Sequence, residues 1–207
     1  MKLCIFSDPH GRHELLDDKL PDADVAICCG DITGRGLEAE ARAFMEWYAG
    51  QWHIGTKIFI PGNHDFCFEN GPIEDIPSEL TCLINEPAVI NGLHILAMSY
   101  VPIFRGWAFE VSEDVIKSFL SEITIPIDIL VTHTPPYSIL DFAQYKAEHT
   151  GSKALFDHVV DNPPKVHCFG HIHEGYGQTN NGNTIFVNAS VLNASYYVTN
   201  KPVVIDI

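Results

Sequence analysis

Short apolar runs recur along the chain, and most are closed by turn-forming or polar residues. Leu3–Phe6, Val25–Cys29, Ile58–Ile60, Ile127–Thr132 and Val166–Phe169 read as buried strands. Leu80–Ile84, Ala88–Ile90 and Leu93–Met98 are further strands, with Asn91-Gly92 as a hairpin turn between the last two. In the tail, Thr184–Val187, Ala194–Val198 and Val203–Ile207 have the same character. Helical spacing is clearest over Leu37–Ala49, where Ala41, Phe44, Met45 and Tyr48 share a face and Gly50 supplies the stop. Glu38 and Arg42 form an i,i+4 pair on its outer side. Ser112–Ile123 is a second helix, with Ser112 as N-cap and Glu113 and Asp114 in its first turn. Ser152–Val160 is a third, and Arg12–Leu20 has room for a short one. Phe66–Pro77 reads as a loop. Tyr100–Phe109 is another loop, rich in aromatics, that either packs on the core or walls a pocket. Strands alternating with helices in the first half point to parallel βαβ units, and the hairpins to antiparallel additions. The fold class is therefore α/β. No repeat, low-complexity tract or linker interrupts the sequence, and residues 1–207 read as a single domain.

Composition narrows the function classes. The formal net charge is −15, from 27 acidic and 12 basic residues, and no basic cluster is present. Stable binding of duplex nucleic acid or of an anionic membrane surface needs such clusters, so both are disfavoured. No apolar run reaches transmembrane length and the start is no signal peptide, so a cytoplasmic location is expected. Cys4, Cys28, Cys29 and Cys168 sit inside strand-like runs, where thiols pack as small hydrophobes. Cys67 and Cys82 are isolated, so reduced thiols are expected and no disulfide framework.

The polar residues that follow the strands carry the chemistry. Pro61-Gly62-Asn63-His64-Asp65 ends the run at Ile58–Ile60 and places an amide, an imidazole and a carboxylate in a row. Asn and Asp also favour turns for local reasons, so this segment by itself is not diagnostic. Four other strand ends add to it: Ser7-Asp8-Pro9-His10, Gly30-Asp31, Thr132-His133-Thr134-Pro135 and Gly170-His171-Ile172-His173. Open α/β sheets bind ligands at such ends, and five of them carrying His, Asp or Asn suggest one convergent site. Imidazole, carboxylate and amide oxygen without thiolate suit manganese, iron or zinc.

The ordered set DxH, GD, GNHD, THTP and GHxH resembles the calcineurin-like metallophosphoesterase superfamily over Asp8 to His173. Thr132–Pro136, Gly170–Gly177 and Val187-Asn188-Ala189-Ser190 are similar to a narrower branch, which holds metallophosphoesterase-domain-containing proteins and lies near class III cyclic nucleotide phosphodiesterases. The resemblance implies a four-layer α/β/β/α sandwich of two mixed sheets flanked by helices. It also implies two divalent ions, manganese first, with iron, zinc, nickel or cobalt as alternatives. One ion would take Asp8, His10, Asp31 and His173; the other would take Asp31, Asn63, His133 and His171, with Asp31 bridging. His64 would protonate the leaving oxygen or stabilise its charge, and Asp65 would either orient His64 or serve as a turn aspartate. In-line attack by a hydroxide between the ions is the implied reaction.

The implied function is a phosphodiesterase of small soluble phosphoesters such as cyclic nucleotides. Phosphomonoesterase or Ser/Thr protein phosphatase activity is the alternative with the same ligand set. A non-catalytic scaffold is the alternative from another class. Arg12, His13 and Arg35 lie near the first two motifs, in reach of a substrate phosphate. His53, His94, His149, His158 and His167 fit no motif and read as ordinary surface or packed histidines. Glu174, Tyr176 and Asn188 belong to the branch-like strings, as loop supports or substrate contacts. The sequence leaves the oligomeric state open.

Overall fold

The structure is a computed structural model and describes residues 1–16 and 20–207. Strands β1 (Lys2–Phe6), β2 (Val25–Cys28), β3 (Thr56–Phe59) and β4 (Leu80–Cys82) lie parallel in one sheet. The second sheet contains β5 (Glu86–Ile90), β6 (Leu93–Met98), β7 (Ile129–Thr132), β8 (Val166–Phe169), β9 (Gly177–Asn180) and β10 (Ile185–Asn188). The last strand, β11 (Val203–Asp206), returns to pair antiparallel with β1. The spatial orders are β11-β1-β2-β3-β4 and β9-β10-β8-β7-β6-β5.

Alternation along the strands explains the layers. Leu3, Ile5, Val25, Ile27 and Ile58 face the second sheet, where Ile95, Ala97, Ile129, Val131, Val166 and Val187 meet them in one fully buried cluster. Cys4, Phe6, Ala26, Cys28 and Phe59 point the other way and pack on Phe44, Met45 and Tyr48 of helix α1 (Glu38–Ala49). Leu96, Met98, Leu130 and Phe169 do the same on the far face. There they meet Ile116 and Leu120 of α2 (Glu113–Ser121) and Leu155 and Val159 of α3 (Lys153–Asp161). This is the α/β/β/α sandwich. Because the central strands are covered on both faces, they read as continuous apolar runs.

The helix ends follow their signals. Ser112 and Ser152 each accept a hydrogen bond from the N–H three residues on, closing α2 and α3. Glu113 also reaches across to the N–H groups of Lys153 and Ala154, which ties the two helices together. Arg42 and Glu38 pair at 2.6 Å on α1. Asn91 and Gly92, both with positive φ, make the hairpin turn between β5 and β6.

Two expectations need correction. Ala194–Val198 is not a strand: Asn193 bonds the N–H groups of Ser195, Tyr196 and Tyr197 and folds the segment into a turn. The helix expected over Arg12–Leu20 is, where described, a single 3-10 turn at His13–Leu15; residues 17–19 lie outside the described residues. Gly177–Asn180, a polar edge strand, carries too little apolar pattern to read as a strand in the sequence. Among the described residues, no helix is long and apolar enough to cross a membrane.

Candidate metal centre

Each candidate donor leaves the C-terminal end of a strand. β1 delivers Asp8 and His10, β2 Asp31, β3 Asn63 and His64, β7 His133, and β8 His171 and His173. The two sheets are tied together at this edge: Ser7 N–H donates to Ala189 at 2.9 Å, and the Ser190 hydroxyl donates to the Asp8 carboxylate. The His133 Nδ1–H crosses from the second sheet to the Cys29 carbonyl of the first at 2.9 Å.

Asp31 stands at the centre. Its Oδ2 lies 3.4 Å from His10 Nε2 and its Oδ1 lies 3.3 Å from His133 Nε2. Three overlapping metal-capable groups meet there: Asp8, His10 and His173; His10, Asp31 and His64; and Asp31, His133 and His171. Asn63 joins the last group, with its amide oxygen 2.9 Å from His133 Nε2. All seven donors of the expected set are therefore close together.

The donor pattern fits cations. His133 gives its Nδ1 proton to a carbonyl and sets its Nε2 against two oxygens, Asn63 Oδ1 and Asp31 Oδ1. His173 repeats the arrangement, with Nδ1–H on the Asn193 carbonyl and Nε2 3.7 Å from Asp8 Oδ1. Both ring nitrogens of His10 are buried without a hydrogen-bond partner. Positive charge holds such a set together, either on a protonated His133 beside Asp31 or on a bound cation. Carbonyl-held histidines are also the usual way to fix the ligating nitrogen.

The electrostatics agree. Burial disfavours charge on Asp8, yet the hydrogen bond and charge of His173 hold its carboxyl below the usual range. Burial opposes charge on Asp31 too, and His133 and His10 overcome it. His133 is buried, but Asp31 raises it to about 9. Burial pushes His10 down to about 4; burial and then His133 push His171 down to about 3. The protein thus sets two anionic carboxylates beside the uncharged imidazoles of His10 and His171, the protonation states a divalent ion requires of its ligands.

His64 stands beside this cluster. Its Nδ1–H donates to the Gly34 carbonyl at 3.0 Å, which leaves Nε2 for the cleft. Trp107 stacks on the ring at 4.2 Å, and His10 meets it edge-on at 4.5 Å. Asp65 does not touch that ring. It is fully buried and accepts from Gly62 N–H (2.7 Å), Ile32 N–H (3.1 Å), Thr33 N–H (2.8 Å) and the Thr33 hydroxyl (2.7 Å). Of the two readings of Asp65, the geometry matches the turn aspartate: it staples the loop after β2 to the loop after β3. Burial and the neighbouring Asp31 raise its carboxyl to about 6.

A cleft of about 860 Å³ opens over the cluster. Phe104, Arg105 and Trp107 form one wall, so the Tyr100–Phe109 loop is a pocket wall; Tyr137, Lys146, His149 and Lys153 form the other. Arg12 and Arg35 are exposed and do not line the cleft. His13 is buried against Phe44 and Trp47. The cleft's cations are Arg105, Lys146 and Lys153. Asn188 is structural, donating to the carbonyls of Leu140 and Ile172, and the Tyr176 hydroxyl donates to Lys201. His149 is missed by sequence reasoning. It lines the cleft with Nδ1 2.5 Å from the buried Asp141 carboxylate, a pairing that only the intervening ribbon creates.

Fold and donor set together define a class, the metal-dependent phosphoester hydrolases. The chain belongs to the calcineurin-like phosphoesterase family, whose profile matches residues 1–175. It is similar to metallophosphoesterase domain-containing protein 1 of Homo sapiens, at 33% identity over 234 residues covering 99% of this chain and 70% of that protein. It is also similar to a UPF0046 protein of Caenorhabditis elegans, at 30% identity over 221 residues covering 99% of this chain and 74% of that one. Among solved structures, a protein of Thermus thermophilus matches with a TM-score of 0.64 at 17% identity, covering 90% of this chain and 88% of that one. A phosphopantetheinyl hydrolase from Mycobacterium tuberculosis matches with a TM-score of 0.60 at 14% identity, covering 98% and 95%. These two likenesses concern the fold. The family uses divalent metals and hydrolyses phosphoesters.

Proposed function

We propose that the chain is a two-metal phosphodiesterase of small phosphodiesters. The observation that carries this reading is Asp31, whose two carboxylate oxygens face His10 on one side and His133 on the other. A carboxylate so placed is suited to bridge two ions. Asp8, His10, Asp31 and His173 would hold one; Asp31, Asn63, His133 and His171 would hold the other. When bound, such ions supply Lewis acidity toward phosphoryl oxygens and lower the pKa of water. Manganese is the ion proposed for this oxygen and imidazole set.

The remaining work falls to side chains. Two divalent ions outweigh the two carboxylates Asp8 and Asp31, and Asn63 is neutral, so the centre favours an anionic ester. With Nδ1–H held by Gly34, a protonated His64 presents Nε2–H to the cleft and delivers that proton to the leaving oxygen. Such catalysis is typically worth ~10²–10⁴-fold. The wide cleft, walled by Phe104 and Trp107, leaves space for the second arm of a diester.

The test is metal removal, manganese restoration, and hydrolysis of bis(p-nitrophenyl) phosphate beside p-nitrophenyl phosphate. Manganese-dependent turnover favouring the diester is expected. Preference for the monoester would move the function to a phosphatase, and absence of bound metal would end the proposal.

A further inference from the structure

Tyr196 has features that neither the motifs nor the family match account for. It lies beyond residues 1–175, in the turn that Asn193 organises. Its ring stands over two of the donors, 5.0 Å from the His10 ring and 5.1 Å from the His173 ring. Those two imidazoles are themselves 5.3 Å apart, so the three rings close a triangle on one side of the Asp8–His10–His173 group. Tyr196 is 40% exposed and lines the cleft.

Its backbone is held in an uncommon state. Tyr196 has a φ of 61°, in the left-handed region that a bulky residue seldom adopts. Asn193 imposes it. The Asn193 carbonyl accepts from Tyr196 N–H at 2.8 Å, and its side-chain oxygen accepts from Ser195 and Tyr197 N–H at 2.9 and 3.1 Å. The same Asn193 carbonyl accepts from His173 Nδ1 at 3.1 Å, so one residue sets both the turn and the orientation of a candidate donor. Strained, over-determined conformations cluster where a side chain must be aimed.

The phenol is the polar end of that side chain, and it has no hydrogen-bond partner among the described residues. A ring used only to cover imidazoles would need no hydroxyl, and Phe would serve. A neutral phenol at the rim of a cation site can ligate the ion or donate its O–H to an anionic oxygen; the metal-capable groups form without Tyr196, which favours donation. We infer that Tyr196 contacts the substrate, donating its phenolic O–H to a non-bridging oxygen of the phosphoryl group. The inference rests on the two-metal phosphodiesterase reading and adds a donor from the C-terminal turn.

The experiment uses the manganese-loaded full chain and two substitutions. Tyr196→Phe removes the oxygen alone, and Tyr196→Ala removes the ring. A hydrogen bond to a charged oxygen corresponds to roughly a ten- to hundredfold effect. Tyr196→Phe is therefore expected to lower kcat/KM for bis(p-nitrophenyl) phosphate about ten- to hundredfold, mostly in kcat, with both metals and the melting temperature retained. Tyr196→Ala should fall at least as far. If Tyr196→Phe stays within twofold of the parent while Tyr196→Ala fails, the ring only packs on His10 and His173 and the inference is overturned. Loss of metal in Tyr196→Phe also overturns it, by placing the phenol in ion binding. The parent protein is assayed first: if it holds metals and turns over no ester, the phosphodiesterase reading fails and takes this contact with it.

Discussion

Gly62 offers the sharpest test of the centre. It is a glycine for reasons of space. A Cβ built there would lie 2.5 Å from Asp31 N and 2.6 Å from His133 Cε1, and closer still to Asp31 Oδ1. The φ of Gly62 is not in the left-handed region, so alanine meets no conformational penalty and the effect of Gly62→Ala is steric. Ordinary contact with a Cβ begins near 3.4 Å, so Asp31 and His133 must together retreat by about 0.8 Å or more. Metal sites tolerate roughly 0.2 Å. Overpacking of this kind costs ~1–3 kcal/mol, and the stiffer unfolded chain returns ~0.4–1 kcal/mol. The net ~0–2.6 kcal/mol should lower the melting temperature by no more than about 10 °C, because each kcal/mol moves a domain of this size by ~2–4 °C. Turnover should fall far more, by ~10²-fold or greater, because displacements near 1 Å in catalytic groups have that effect.

The assay is bound manganese by plasma mass spectrometry, turnover of bis(p-nitrophenyl) phosphate, and a thermal melt. Gly55→Ala is the control, since a Cβ there meets nothing within 4 Å and its φ is ordinary. A folded Gly62→Ala protein that keeps two metals and turns over within threefold of the parent would refute the placement of Asp31 and His133 in a shared centre.

Three further outcomes are expected. His64→Ala should reduce turnover by ~10²–10⁴-fold with metal content retained if the ring is the proposed acid; unchanged turnover removes it from the reaction. Trp107→Leu removes the stacked face of His64 and should slow a phenyl ester more than a p-nitrophenyl ester, since the poorer leaving group depends more on the acid; equal losses would reduce Trp107 to a cleft wall. His167 is fully buried, and burial lowers it to about 3. Its folded pKa lies below the unfolded value of 6.5, so its contribution is whole above pH 6.5 and is lost as pH falls toward 3, by up to ~5 kcal/mol. Urea midpoints should drop across that window, and His167→Leu should flatten part of the slope; an unchanged slope would show that His167 does not titrate there.

The legible parts of the sequence were those whose cause is local. β1, β2, β3, β7 and β8 could be read because both faces are covered and apolar residues dominate their runs, Lys57 and His167 aside. The donors could be read because each follows such a run. What could not be read depends on partners far along the chain. Asp65 binds backbone at Ile32 and Thr33, more than thirty residues earlier, so GNHD does not reveal whether the carboxylate serves its neighbour or a distant loop. Trp107 reaches His64 because Ala108 N–H donates to the Asn63 carbonyl at 3.2 Å, a tertiary bond without a sequence signature. Tyr196 and Tyr197 have strand propensity, but hydrogen bonds to Asn193 override it.

The backbone shows how the centre is made before any ion arrives. Asp8, His10, Asp31 and His171 have φ of 57°, 43°, 53° and 67°, so four of the seven candidate donors sit in the left-handed region. Such residues cost of order 1 kcal/mol each and persist only when surroundings over-determine them. Here the loops determine one another. Asp8 N–H donates to the Gly30 carbonyl at 3.0 Å and His10 N–H to the Asp31 carbonyl at 2.9 Å, locking the first loop to the second. His171 N–H donates to the Asp8 carboxylate at 3.0 Å, and His64 N–H to Asp31 Oδ1 at 2.8 Å. Each carboxylate therefore serves twice, as an acceptor for a neighbouring loop and as a candidate ligand. Asp8→Asn or Asp31→Asn would weaken a loop clamp as well as remove a charge. The loop clamps thus hold the candidate ligands in place, so that a bound cation would meet them already positioned.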